Sequence, residues 1–331
     1  MLRRYNDDAV RARLLAPLVV FASALLVYLL TAPPGLTWAH DSADGGDLIA
    51  AVVSGGLPHP SGYPTYLLLA TPLARLPWHT PAWRVTLLSA LAGAAAAAWV
   101  AATVQALLPG RAVVPAVVAG LTLAFSRVFW GQSTVAEVYA LHACLAAALL
   151  WLAVRSRQSQ APAWPAAAGM VFGLALGNHL TSAWLAPLFL VGIVQPERRG
   201  RAVAAGAGGL LAGLLVYLAL PLRGVGSGPL AWGNPGTWDG FWWLVGGHLY
   251  RPFVLAVPLA AVPGRLAATA GLLLQSFLPW GAALAVAGVV RWPRRQQSVN
   301  IAMLASAGLG LAWALSYNTS DSWLSWLPVW P

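Results

Sequence analysis

Between His40 and Pro64 the sequence reads HDSADGGDLIAAVVSGGLPHPSGYP, which places Asp41, Asp44, Asp47, His40 and His59 within 25 residues. Two carboxylates three residues apart can raise one another's pKa, and a carboxylate so perturbed suits a general base. The Asp44-Gly-Gly-Asp47 motif also opens a predicted helix over 46–53, so a purely local account competes with the chemical one. In that account Asp44 is the N-cap and Asp47 sits at the third helical position, a capping-box-like pair that contributes about 1 kcal/mol. A cap needs only one such residue, however, and two glycines weaken so short a helix. Gly45 and Gly46 would instead let backbone amides approach an anionic group. His59-Pro60-Ser61-Gly62-Tyr63-Pro64 is too rich in proline and glycine to be helical and forms a fixed turn. Its histidine is placed either to orient Asp44 or to donate to a phosphate, unless the turn serves only as a rigid re-entry into the membrane.

Further candidates are scattered. Glu137 lies in Trp130-Gly-Gln-Ser-Thr-Val-Ala-Glu-Val-Tyr139; it is either a helix-dipole partner or, being so close to hydrocarbon, an acid that faces a cavity. Asn178-His179 separates two apolar runs, as a hairpin cap or as pocket lining. Arg223 ends a run as an interfacial snorkeller or as a phosphate clamp. His142 reads as a histidine satisfied between helices. The sequence has no GxxxxGK[ST], CxxC, HExxH or GxSxG motif, so nucleotide-driven transport, structural zinc and hydrolase-elbow chemistry lack their usual marks.

The elements that position these residues are membrane spans. Charged residues make up 8% of the chain and hydrophobic residues 59%, against roughly 25% charged in a soluble domain. All 19 basic residues are arginine, and they cluster between apolar runs, which marks a cytoplasmic side rather than a nucleic-acid partner. The lone cysteine, Cys144, excludes an intrachain disulfide. Apolar runs occur at 14–30, 85–108, 112–125, 138–154, 164–177, 180–194, 202–222, 266–290 and 299–317. Some are short for a hydrocarbon core of roughly 30 Å, but counting them all as crossings keeps the arginine clusters on one side, giving about nine spans. Arg3, Arg4, Arg11, Arg13, Arg111, Arg155, Arg157, Arg198, Arg199, Arg201, Arg291, Arg294 and Arg295 then face the cytoplasm. The histidines and most acids, including Asp41, Asp44, Asp47, Glu137, Asp239 and Asp321, gather at the outer face. The expected fold is an all-α polytopic transmembrane bundle with the N-terminus inside. Its first and fourth outer loops, 31–82 and 223–265, are long, and the first carries an interfacial helix near 66–76.

The ordered set of motifs resembles a large family of prokaryotic multipass membrane proteins that also includes a eukaryotic O-mannosyltransferase acting on plexin-type receptors. The likeness runs through Asp44-Gly-Gly-Asp47-Leu-Ile-Ala-Ala, His59-Pro-x-Gly-Tyr-Pro64, Phe129-Trp130 with Glu137-Val-Tyr139, and Gly177-Asn178-His179. It continues through Leu220-Pro-Leu-Arg223, Trp232-Gly-Asn-Pro235 with Tyr250, and Tyr317-Asn-Thr-x-Asp321. Asp47 stands where the family has Glu, Ser61 replaces a proline, and the chain stops at Pro331 where relatives continue, as a C-terminally shortened form would. The family is similar to GT-C glycosyltransferases, so the resemblance implies a single GT-C-like domain over 1–331 that moves a sugar from a polyprenyl-phosphate donor to an acceptor hydroxyl.

On this reading Asp44 is the general base, and Asp47 orients it or binds a divalent cation, the one cofactor raised. His59 and Arg223 hold the donor phosphate, while Tyr63, Glu137, Tyr139, Asn178 and His179 bind substrate. The partners are the donor, membrane lipid and an acceptor that is a protein, a lipid or a glycan, at the extracytoplasmic face of the cell membrane. A lipid-linked-sugar flippase or a non-catalytic assembly subunit stands as the alternative.

Overall fold

The computed structural model describes residues 2–108, 112–194, 199–224 and 230–329. Arg111 and Arg198, expected on the arginine-rich side, lie outside them, as do residues 225–229 of the fourth outer loop. The described residues are helical almost throughout, with one isolated parallel bridge between Leu57 and Ala231. Every apolar run named above is helical. Six helices are long and apolar enough to cross a membrane, or seven if a bent pair counts as one span.

Helix α1 (Leu2–Thr31) buries Ala16, Val20, Ala24 and Tyr28, a stripe at four-residue spacing, and exposes Leu14, Leu18, Leu26 and Leu30. Small residues on the stripe let α1 lie close to α4 (Pro81–Leu107), whose Ala90, Ala94, Ala97 and Ala101 share the same cluster. Between them come α2 (Gly45–Ser54) and α3 (Pro64–Ala74), the helices of the first long loop. Thr80 caps α4 by accepting the Trp83 amide at 3.2 Å, with Pro81 in the first turn. The bent pair is α5 (Val113–Ala124) and α6 (Arg127–Ser133), which meet at 71°. Ser126 lies in the bend in extended conformation, its hydroxyl turned back to the Leu123 carbonyl at 2.9 Å.

The centre of the bundle is α7 (Tyr139–Gln158), 78% buried. Helix α8 (Ala163–Asn178) returns beside it, and α9 (Ala186–Ile193) leads away again after a 3₁₀ turn over 180–185. Next, α10 (Arg199–Leu214) packs along α8 through a glycine seam: a Cβ on Gly169 would lie 2.0 Å from the Gly206 carbonyl oxygen, and one on Gly209 2.0 Å from that of Ala166. Only glycine permits this approach, the usual way for helices to associate where apolar burial gives no advantage over lipid. Helix α11 (Ala219–Gly224) ends the descent, and α12 (Trp238–Val245) lies in the fourth loop. The last two are α13 (Val262–Val290), broken at Leu278 just before Pro279, and α14 (Gln297–Ser316).

The two ends of α7, roughly 30 Å apart at 1.5 Å per residue, carry different chemistry. At its C-terminal end Arg157 donates to the Val194 carbonyl, Gln158 to that of Ala106, and Arg155 lies over the Trp164 ring. At its N-terminal end gather the first loop, Glu137, Asn178 and Asp321.

Candidate active site

The first loop is folded by contacts distant in sequence. Leu57 pairs with 230–232 of the fourth loop, its amide donating to Leu230 at 3.0 Å and its carbonyl accepting from Trp232 at 3.3 Å. Gly56 makes this possible, since a Cβ there would lie 2.0 Å from the Leu230 oxygen. The clip brings the Trp232 indole N–H to 3.0 Å from Asp47 Oδ1.

Asp44 occupies the N-cap of α2, but its side chain makes no capping bond. The capping box that competed as the local account of Asp44 and Asp47 does not form, because both carboxylates are drawn elsewhere. The Asp44 amide is accepted at 3.0 Å by Glu137 Oε1, from 93 residues away. Asp47 accepts the His59 amide at 2.8 Å and its Nδ1 at 2.7 Å through Oδ2. The other His59 nitrogen, Nε2, lies 2.8 Å from the Tyr63 hydroxyl and 3.4 Å from Asp44 Oδ2. His59 therefore bridges the two aspartates. Gly45, at the start of α2, packs on the Ala136 carbonyl, while Gly46 faces open space.

Burial disfavours charge on His59, but hydrogen bonds and attraction from Asp44 and Asp47 outweigh it and raise its pKa to about 9. The side chain is an imidazolium at neutral pH. Burial would raise Asp47, but hydrogen bonds from His59 and Trp232 hold it below the usual carboxylate range. Glu137 is 1% exposed; burial, reinforced by the Asp44 charge and only partly offset by the Asp44 amide, lifts it to about 8, so it is protonated at pH 7. Burial pushes His179 down to about 4 against the pull of Asp321 and Asp44. The site thus holds an ionised Asp47, a cationic His59, a neutral Glu137 and a neutral His179.

Asp44, His59, Tyr63, Tyr139 and His179 line one cavity of about 410 Å³. Its walls are largely aromatic: His179 stacks on Tyr63 at 6.1 Å and on His142 at 5.3 Å, and His59 meets Tyr250 edge-on at 5.9 Å. Three residues expected to bind substrate lie outside this lining. Glu137 is sealed behind Asp44. Asn178 is fully buried and donates to the Val138 carbonyl at 3.1 Å, fixing the start of α7. Arg223 donates to the Gly56 carbonyl at 3.1 Å and to the Thr71 hydroxyl, so it knits α11 to the first loop instead of facing the cavity. The guanidinium that does line the cavity belongs to Arg251.

Arg251, Trp184 and Trp313 carried no sequence signal, since arginine and tryptophan beside a membrane read equally well as anchors. Asp321, 3.1 Å from the Tyr139 hydroxyl, did carry one. It is an acid directly after an apolar run, at the same edge as Asp44. Among the described residues no group of three or more His, Cys, Asp or Glu is disposed to hold a metal ion. Both Asp47 oxygens already accept hydrogen bonds, which leaves Asp44 as the carboxylate of the pair open to the cavity.

Residues 44–199 match the family model described as the N-terminal domain of protein O-mannosyl-transferase TMEM260. Protein O-mannosyl-transferase TMEM260 of Mus musculus is 30% identical over 233 residues, which cover 67% of this chain and 32% of that protein. The chain therefore corresponds to about a third of the length of this relative. No solved structure matches it. The matched segment begins at Asp44 and spans Asp47, His59, Tyr63, Glu137, Tyr139 and His179. Through this segment the chain belongs to the protein O-mannosyl-transferase-related family defined by the TMEM260 N-terminal domain.

Proposed function

We propose that the chain is an integral membrane glycosyltransferase of GT-C-like architecture with about nine spans, which moves a sugar from a polyprenyl-phosphate donor to an acceptor hydroxyl at the extracytoplasmic face of the cell membrane. The observation that carries this reading is the division of labour among three carboxyl groups. Glu137 and Asp47 are spent on hydrogen bonds inside the protein, while Asp44, its backbone fixed by Glu137 and its side chain flanked by His59, opens onto the cavity.

Asp44 takes the proton of the acceptor hydroxyl as that oxygen attacks the anomeric carbon from the face opposite the phosphate. The bond from the anomeric carbon to the donor oxygen breaks, and polyprenyl phosphate leaves with the electron pair, so the configuration inverts. His59, held by Asp47 at 2.7 Å, orients the Asp44 carboxylate from 3.4 Å. Arg251, the cavity guanidinium, offsets the charge on the leaving phosphate, a role its planar fork suits. The relative's name makes a mannosyl group and a protein hydroxyl the first donor and acceptor to try.

The test is transfer of radiolabel from polyprenyl-phosphate mannose to Ser/Thr peptides by the full chain in liposomes. Asp44→Asn should lower transfer by about 10² to 10⁴-fold with an unchanged thermal melt. A well-folded Asp44→Asn protein with undiminished transfer overturns the assignment.

A further inference from the structure

The cavity has an aromatic end beside the one formed by Asp44 and His59. Trp313 and Tyr317 stack there at 4.7 Å and 18°, and Trp184 leans on Trp313 at 5.7 Å. Polar atoms are set among these rings. The Trp184 Nε1 and the Thr319 hydroxyl are buried with no hydrogen-bond partner among the described residues. Asp321 accepts the Tyr139 hydroxyl through Oδ2, and its other oxygen takes no hydrogen bond among the described residues. All five residues line the cavity.

A buried donor without an acceptor costs free energy that an apolar occupant would not return. An isoprenoid chain would leave the indole N–H, the hydroxyl and the carboxylate all unsatisfied, so this end is not built for the lipid tail. Nor is it a membrane belt, because belt tryptophans turn their N–H groups to water and headgroups, whereas the Trp184 nitrogen is buried in the cavity wall. A pyranose fits, because its C–H face covers aromatic rings while its hydroxyls meet one carboxylate, one N–H and one hydroxyl.

We propose that Trp184, Trp313, Tyr317, Thr319 and Asp321 form the subsite that holds the donor sugar and sets which hexose is accepted. The assignment rests on the glycosyl-transfer reading for the direction of reaction, but glycoside binding can be measured without transfer. Trp313, Tyr317, Thr319 and Asp321 fall beyond the matched segment 44–199. Trp184 lies inside that segment with Asp44 and His59, so the subsite draws on both parts of the chain.

Saturation-transfer NMR on the full chain in nanodiscs, with the methyl glycosides of mannose, glucose and galactose as probes, tests this. One glycoside should bind in preference to the others. Trp184→Phe, which keeps a ring and removes the N–H, and Asp321→Asn should each weaken it about tenfold, while Ala283→Leu on exposed α13 stays within about twofold. Should Asp321→Asn fail to fold, Trp184→Phe decides alone. Absence of binding by all three glycosides, or unchanged affinity in a folded Trp184→Phe protein, overturns the subsite, even where the wild type transfers sugar. Binding as described in a protein that transfers nothing leaves the subsite standing and removes the transferase reading instead.

Discussion

Helices α7 and α13 both qualify as membrane spans, and α13 is the more apolar. Yet α7 is 78% buried, whereas α13 has Thr269 as its one buried residue. In water such a contrast would be read from polar residues on the exposed face. In a membrane, lipid is as apolar as leucine, so hydropathy cannot say which span packs inside. Residue size does not say so either: α7 buries Ala140, Ala143, Ala147 and Ala153 together with Leu149 and Leu150, while α13 leaves Ala267, Ala268, Ala282 and Ala283 exposed. Catalytic geometry belongs at the end of the packed helix, because only there are supporting side chains held from several directions.

The contrast can be tested by substitution, and the largest effect should come at the site end of α7. His59→Ala removes the bridge between Asp44 and Asp47 and should cut transfer by about 10² to 10⁴-fold, measured in the liposome assay; activity within a few-fold of wild type would show that the aspartates position themselves. Wild-type transfer should also fall as pH rises through about 9, where His59 loses its charge.

The same change placed in each helix separates them further. Ala147→Leu, at a position 1% exposed in α7, should destabilise the protein by about 2 kcal/mol, seen as a lower melting temperature in detergent. An equal melt would mean that α7 is loosely packed.

Glu137→Gln should act through pH. The glutamate is neutral when folded up to about 8 and ionises near 4.5 when unfolded, so between these values the unfolded chain binds fewer protons and stability falls as pH rises. Glutamine keeps an acceptor for the Asp44 amide without that slope. The variant should match wild type near pH 5 and exceed it near pH 8; parallel melting curves across this range would show that Glu137 is ionised in place. The smallest effect is expected for Ala283→Leu on exposed α13, within about 0.5 kcal/mol. A large loss there would mean that α13 is packed after all.

Much of this was legible in the residues. Apolar runs located the helices, and the clustering of acids and histidines located the end where the site forms. Asp44, His59, Tyr63, Tyr139 and His179 came from motif and resemblance, and they share one cavity. What pairing would do was not legible. Asp44 and Asp47 sit at capping-box spacing, and nothing local reveals that Glu137, Trp232 and the His59 turn compete for those groups and win. Arg223 has the character of a phosphate ligand, but the free carbonyl of Gly56 lies within its reach. Trp184 and Trp313 were hidden because an interfacial ring and a cavity ring look alike in sequence.

The clip between Leu57 and Ala231 bears on biosynthesis. Trp232 follows Asp47 by 185 residues, which at 5–20 residues per second separates their emergence by roughly ten to forty seconds. Through most of that interval the nascent chain carries Asp44, Asp47 and His59 but lacks the strap that seats the second aspartate. The carboxylate pair is therefore completed only after the first seven apolar runs have been made.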